Sequence, residues 1–169
     1  MTLTAQERLD DPGLVEAADP GGVLRQVASA AAQVRTSARV TAETDLGAVI
    51  SAGRPRAIVV IGMGGSGVAG EVLAAVCGPG SASPVVAQHD YRLPGWVGAA
   101  DLVIAVSCSG TTEETLSAAE EAVRRGCPLL AVGGAGSPLA RIAEQARAPF
   151  VPVQPAGMPR FTLRAWPCR

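Results

Sequence analysis

The chain has 169 residues, enough for one domain with a full hydrophobic core and short for two. Its residues are 48% hydrophobic, but Gly, Pro, Asp and Arg break them into runs far shorter than the roughly 20 residues of a membrane-spanning helix, so a soluble chain with no membrane partner is expected. A formal net charge of −1 and an aromatic content of 3% exclude the positive field and stacking surface of a nucleic-acid binder.

All 14 basic residues are arginine, which excludes Schiff-base chemistry and a Walker-type phosphate lysine within these residues. Any phosphate must be held by backbone amides, hydroxyls or arginine. Cys77, Cys108, Cys127 and Cys168 form no C-x-x-C pair, so reduced thiols are expected, with no metal site and no disulfide framework. The opening MTLTAQERLDDPGLVEAADPGG has no basic segment leading into an apolar stretch, and a cytoplasmic location is expected.

In chain order, Val23, Val27, Ala30, Ala31 and Val34 stand at helical spacing and predict an amphipathic helix over 20–38, with Asp19 as its N-cap. A shorter helix is predicted over 42–52. Residues 1–55 are therefore expected to form a helical extension. From Ala57 short β-branched runs alternate with helical stretches: strands at 58–61, 85–86, 102–106, 129–132 and 150–153, and helices at 66–77, 112–125 and 137–146. Strands apolar on both faces and separated by helices predict a parallel sheet covered on both sides. Ligands of such sheets bind at the carboxyl ends of the strands. Residues 155–169 show no further element and read as a divergent tail.

Two loops carry the chemistry. GMGGSG at 62–67 follows one predicted strand and opens a helix, where glycines allow close approach of the backbone and free amides favour an anion. Gly62, Gly64 and Gly67 also satisfy G-x-G-x-x-G, so this loop alone leaves a nucleotide and a sugar phosphate both open. SCSGTTEET at 107–115 follows another buried strand and places Ser107, Ser109, Thr111 and Thr112 within six residues, each hydroxyl able to donate to a phosphate oxygen. Thr111 and Glu114 stand in capping-box relation, which accounts for two of these residues but not for four hydroxyls. One phosphomonoester shared by the two loops satisfies both.

These loops, with YRLPGWV at 91–97 and Pro159-Arg160, resemble the sugar isomerase (SIS) domains, and within them the N-terminal half of the bifunctional phosphoglucose/phosphomannose isomerases. The resemblance runs from 56 to 160. It departs from the family's pattern at Cys108, where an aromatic is common, and at Thr111, where asparagine is common.

The resemblance implies an α/β three-layer sandwich with a parallel, flavodoxin-like sheet over 56–154. It implies phosphate binding by Gly65, Ser66, Ser107, Ser109 and Thr112, and a catalytic role for Arg160 in stabilising an enediolate. The implied reaction is aldose-ketose isomerisation of glucose 6-phosphate, fructose 6-phosphate or mannose 6-phosphate through a cis-enediol, with no cofactor and no metal. The family's glutamate base and ring-opening histidine have no match here, and FTLRAWPCR departs from the family's pattern, as a truncation would make it.

A catalytically incomplete domain is therefore expected, working as a homodimer or with a missing C-terminal half. The alternatives are a non-catalytic phosphosugar sensor and a Rossmann-like nucleotide-binding domain. His89, the single histidine, reads as a loop residue, and Cys108 as inert packing. Tyr91 and Trp96 read as packing or as flanks of the sugar. Glu113 and Glu114, in the first turn of a predicted helix, are poor candidates for a base.

Overall fold

The computed structural model describes residue 6 and residues 9–153. The described chain begins with α1 (Pro12–Ala18), α2 (Val23–Ala28), α3 (Ala30–Glu43) and α4 (Gly47–Ser51). There follow β1 (Ile58–Ile61), a 3-10 turn (Gly64–Ser66), α5 (Val68–Cys77), β2 (Val85–Gln88) and β3 (Leu102–Ser107). The remainder is α6 (Glu113–Arg124), β4 (Leu129–Gly134), α7 (Pro138–Gln145) and β5 (Phe150–Val153). All strand pairs are parallel, in the order β2-β1-β3-β4-β5. This is the expected flavodoxin-like sheet.

The two-residue period of the strands explains why both of their faces are apolar. Val59, Ile61, Val103, Ala105, Leu129 and Ala131 meet Ala118, Ala119 and Ala122 of α6 and Leu139 and Ala143 of α7. Val60, Ile104, Val106, Leu130, Val132 and Val151 face the other way, toward Ala69 and Leu73 of α5, Val40 of α3, and Leu46 and Val49 at α4. Val59 and Val103 are fully buried, each stabilising the fold by about 2 kcal/mol. Gly70 lets α5 approach closely, since a Cβ there would lie 2.8 Å from the Ala87 Cβ and 3.0 Å from the Val60 Cβ.

The predicted helix over 20–38 is instead two, broken at Ser29. Its hydroxyl donates to the Gln26 carbonyl at 2.7 Å and accepts from Gln33 Nε2 at 2.7 Å, a local bond that competes with the helix ladder. Asp19 does cap α2, accepting from the Val23 and Leu24 amides at 2.7 and 2.9 Å, although Gly22 occupies the N-cap position. The helix at Pro12–Ala18 was not predicted. Asp11 caps it through the Gly13 and Leu14 amides, with a proline in its first turn. Among the described residues no helix is long and apolar enough to cross a membrane.

At the amino ends of the strands, Arg56 holds the fully buried Asp101 with two bonds, Nε to Oδ1 at 2.9 Å and Nη2 to Oδ2 at 2.6 Å. Arg56 also donates to the Trp96 carbonyl at 2.6 Å and lies over the Trp96 ring, 5.7 Å from its centre. The Gly98 amide supplies a further bond to Asp101 at 2.9 Å. These bonds, led by that of Arg56, hold the Asp101 carboxyl below the usual carboxylate range against the opposing effect of its burial.

Arg125, just past α6, donates to the carbonyls of Leu93, Pro94 and Val97, while Glu121 accepts from the Leu93 amide at 2.8 Å and pairs with Arg125 at 2.7 Å. The Leu93 amide, followed by Arg125, lowers the Glu121 carboxyl. Leu93, Pro94 and Val97 are thus fastened to the C-terminal end of α6 and the residue after it.

Candidate functional site

β1 connects through α5 to β2 on one side, and β3 connects through α6 to β4 on the other, so the chain direction diverges at the β1–β3 pair. α5 and α6 lie on opposite faces of the sheet. A crevice opens at such a divergence, beyond the carboxyl ends of the two strands. Both predicted loops are found there.

In the first loop Gly62 is buried, because a Cβ there would meet the Ser66 carbonyl oxygen at 2.8 Å and the Val106 carbonyl oxygen at 3.0 Å. Gly64 has φ +54, a left-handed conformation that favours glycine. The Ser66 and Gly67 amides turn back to the Met63 carbonyl at 3.1 and 3.3 Å, whereas the exposed Gly64 and Gly65 donate their amides to no backbone group among the described residues. The helix predicted to begin at 66 begins at Val68 instead, behind the 3-10 turn that presents these amides.

In the second loop the hydroxyls bond one another. Ser107 Oγ lies 2.9 Å from Thr112 Oγ1 and 3.4 Å from Ser109 Oγ, and accepts from the Gly110 amide at 3.0 Å. Ser109 Oγ accepts from the Thr111 amide at 3.2 Å and from Thr111 Oγ1 at 3.0 Å. The expected capping box is not formed. Thr112, not Thr111, is the N-cap of α6, and its side chain makes no capping bond because it faces Ser107. The amides of Glu113, Glu114 and Thr115 make no backbone bond among the described residues, as at any helix start, and with no side-chain cap they leave the positive end of α6 open.

The loops meet through Ser66, whose Oγ donates to Cys108 Sγ at 3.6 Å and accepts from the Cys108 amide at 3.4 Å. A third strand end braces the second loop. Gly110, at φ +68, packs directly on Ser137, the N-cap of α7, and its carbonyl accepts from the Leu139 amide at 3.1 Å.

Gly65, Ser66, Ser107, Ser109 and Thr112 thus gather in two touching loops at the carboxyl ends of β1 and β3, while Arg160 lies outside the described residues. Tyr91 sits beside the first turn of α6, where the carboxylate of Glu114, followed by burial and Glu113, pushes its phenol up. Trp96 is at the opposite end of the sheet, against Arg56. Asp90, the acidic residue nearest to where a dinucleotide fold needs one, accepts from the adjacent Tyr91 amide at 2.6 Å. Among the described residues no group of three or more His, Cys, Asp or Glu side chains is placed to hold a metal ion. Burial pushes the Cys127 thiol up, which fits inert packing. His89 was missed as part of this region: its Nδ1 lies 2.8 Å from the Gly62 carbonyl oxygen.

The SIS domain family matches residues 54–150. A bifunctional phosphoglucose/phosphomannose isomerase of Thermoplasma acidophilum is 48% identical over 79 residues, 47% of this chain and 24% of the relative. Its counterpart in Caldicellulosiruptor bescii is 36% identical over 106 residues, 63% of this chain and 31% of the relative. The matched stretches span about a quarter to a third of these curated relatives. Among solved structures, the Vibrio vulnificus NanR protein complexed with ManNAc-6P superimposes with a TM-score of 0.62 at 22% identity, covering 90% of this chain and 61% of that one. With the family match spanning more than half of its residues and the parallel sheet in place, the chain belongs to the SIS domain family.

Proposed function

We propose that this chain binds a hexose 6-phosphate, with the phosphate seated between the Gly62–Gly67 loop and the start of α6. In this proposal the chain supplies the phosphosugar-binding part of a glucose-6-phosphate/mannose-6-phosphate isomerase. The observation that carries the proposal is the contact of Ser66 with Cys108, which joins two loops bearing unpaired amides at the β1–β3 divergence. Gly64 and Gly65 amides on one side, and Glu113 to Thr115 amides with the Ser107, Ser109 and Thr112 hydroxyls on the other, suit a dianion that meets no lysine. The identities to isomerases and the ManNAc-6P held by the NanR protein support a phosphosugar as the ligand class.

Residues 56–154 form the binding domain in this proposal, and residues 1–55 a helical extension packed on it. Arg160 is its candidate for stabilising an enediolate. Since the glutamate and histidine that the resemblance calls for have no counterpart among these 169 residues, the chain on its own binds hexose phosphate with turnover at background, in a cytoplasmic setting. Self-association is part of the same proposal. The exposed stripe Val68, Val72 and Val76 on α5, which starts directly behind the phosphate loop, would carry contact with a second copy.

Calorimetric titration with fructose 6-phosphate, beside NAD and unphosphorylated fructose, tests the proposal. Binding of the phosphosugar alone, weakened roughly tenfold by Ser66→Ala, is expected from losing one hydrogen bond to a charged group. Binding of NAD in its place would overturn the proposal. An isomerase assay on the same sample is expected to read background, and turnover abolished by Ser66→Ala would show that a residue of this chain serves as the base.

A further inference from the structure

We propose that His89 is a positioning residue that holds the Gly62–Gly67 loop in its anion-binding shape. The inference rests on the phosphosugar reading for its ligand, but its geometry stands apart from it. β1 and β2 pair in register from Ile58↔Val85 to Ile61↔Gln88, so the next residue on each strand, Gly62 and His89, leave the sheet side by side. The Gly62 amide still donates to the Gln88 carbonyl at 3.3 Å, and the imidazole of His89 turns back to the Gly62 carbonyl, with Nδ1 2.8 Å from the oxygen. A carbonyl oxygen can only accept, so Nδ1 carries a proton and the tautomer is set by the loop.

The ring also explains a glycine. A Cβ at Gly67 would lie 2.6 Å from His89 Nδ1, 2.7 Å from Cε1 and 2.9 Å from the Gly62 carbonyl oxygen. Gly67 has φ −66, so it needs no left-handed freedom, and the spacing of G-x-G-x-x-G at this position serves to seat the imidazole. One side chain just past β2 therefore touches both ends of the loop, bonding Gly62 and covering Gly67. Between those ends lie the free amides of Gly64 and Gly65 and the hydroxyl that reaches Cys108. The other ring nitrogen lies 3.6 Å from Glu71 Oε1 on α5, beyond hydrogen-bond length, so the hold on the loop is made by Nδ1 and by the ring's packing. Held at both ends, the loop presents its amides without paying for ordering when the anion arrives.

The test compares wild type, His89→Ala and His89→Asn, the last keeping a donor at the distance of Nδ1 from the main chain. Two quantities are read: amide hydrogen exchange of Ser66 and Gly67 in the ligand-free protein, and fructose 6-phosphate affinity by calorimetry. His89→Ala is expected to speed exchange about tenfold and weaken the ligand about tenfold, with His89→Asn restoring most of both. Thermal melting monitors folding of each variant.

A double variant sharpens the result. Gly67→Ala should cost less affinity in the His89→Ala background than in wild type, because the colliding ring is gone. Wild-type exchange and affinity in His89→Ala, or equal losses in the alanine and asparagine variants, would overturn the positioning role. Absence of fructose 6-phosphate binding by wild type would instead overturn the ligand reading, and the exchange comparison would still decide the role of His89.

Discussion

At the amino ends of the strands Asp101 is fully buried and both of its oxygens are bonded, by Arg56 and the Gly98 amide. Arg125 and Glu121 likewise engage backbone groups of Leu93, Pro94 and Val97. At the carboxyl ends, the Gly64 and Gly65 amides and those of the first turn of α6 make no backbone bond among the described residues. One end is completed by the chain's own groups and serves stability. The other is left incomplete where two strands diverge, and in the proposed function an anion completes it.

The comparison can be broken most forcefully at Gly110. An alanine there must adopt φ +68 and collide with Ser137, so Gly110→Ala is expected to cost about 3 kcal/mol of stability in thermal or denaturant unfolding. A loss under about 1 kcal/mol would mean that the second loop does not depend on the brace from α7.

A smaller, pH-dependent effect belongs to the opposite end. The Asp101 carboxyl is held below its unfolded value, so its stabilisation is complete above about pH 4 and is lost as the pH falls through the lower folded value. Melting temperatures of wild type and Asp101→Asn should differ at neutral pH and converge in acid, while affinity for fructose 6-phosphate stays within about twofold. Parallel melting curves across the acid range would remove Asp101 from the account of stability. The smallest expected change is that of Ser66→Ala on ligand-free melting, within about 0.5 kcal/mol, since the lost contacts are long. A larger loss would place Ser66 with the groups that serve stability.

Much of the fold was legible because its strands are short apolar runs divided by helical stretches, and IVVI at 58–61 and FVPV at 150–153 are strands with those bounds. The two loops were legible because glycines and hydroxyls are concentrated directly after strands. What escaped the sequence depends on register or on long-range pairing. His89 read as a loop residue because its bond to Gly62, 27 positions away, is created by the pairing of β1 with β2. Arg56 and Asp101 stand 45 residues apart, and no local pattern joins them. The helix break at Ser29 and the failed capping box at Thr111 share a cause: a hydroxyl takes a nearby partner, the Gln26 carbonyl for Ser29 and Ser109 Oγ for Thr111.

Pro152 sits exposed in β5, the last strand of the sheet. The Ala131 amide donates to the Pro149 carbonyl, so alternate residues of β5 turn their polar groups toward β4, and position 152 turns its own outward. An outward proline offers no N–H to an approaching strand. The border of the sheet where the described chain ends is thereby a poor template for edge-to-edge aggregation, a hazard that the high hydrophobic content of this chain would otherwise sharpen.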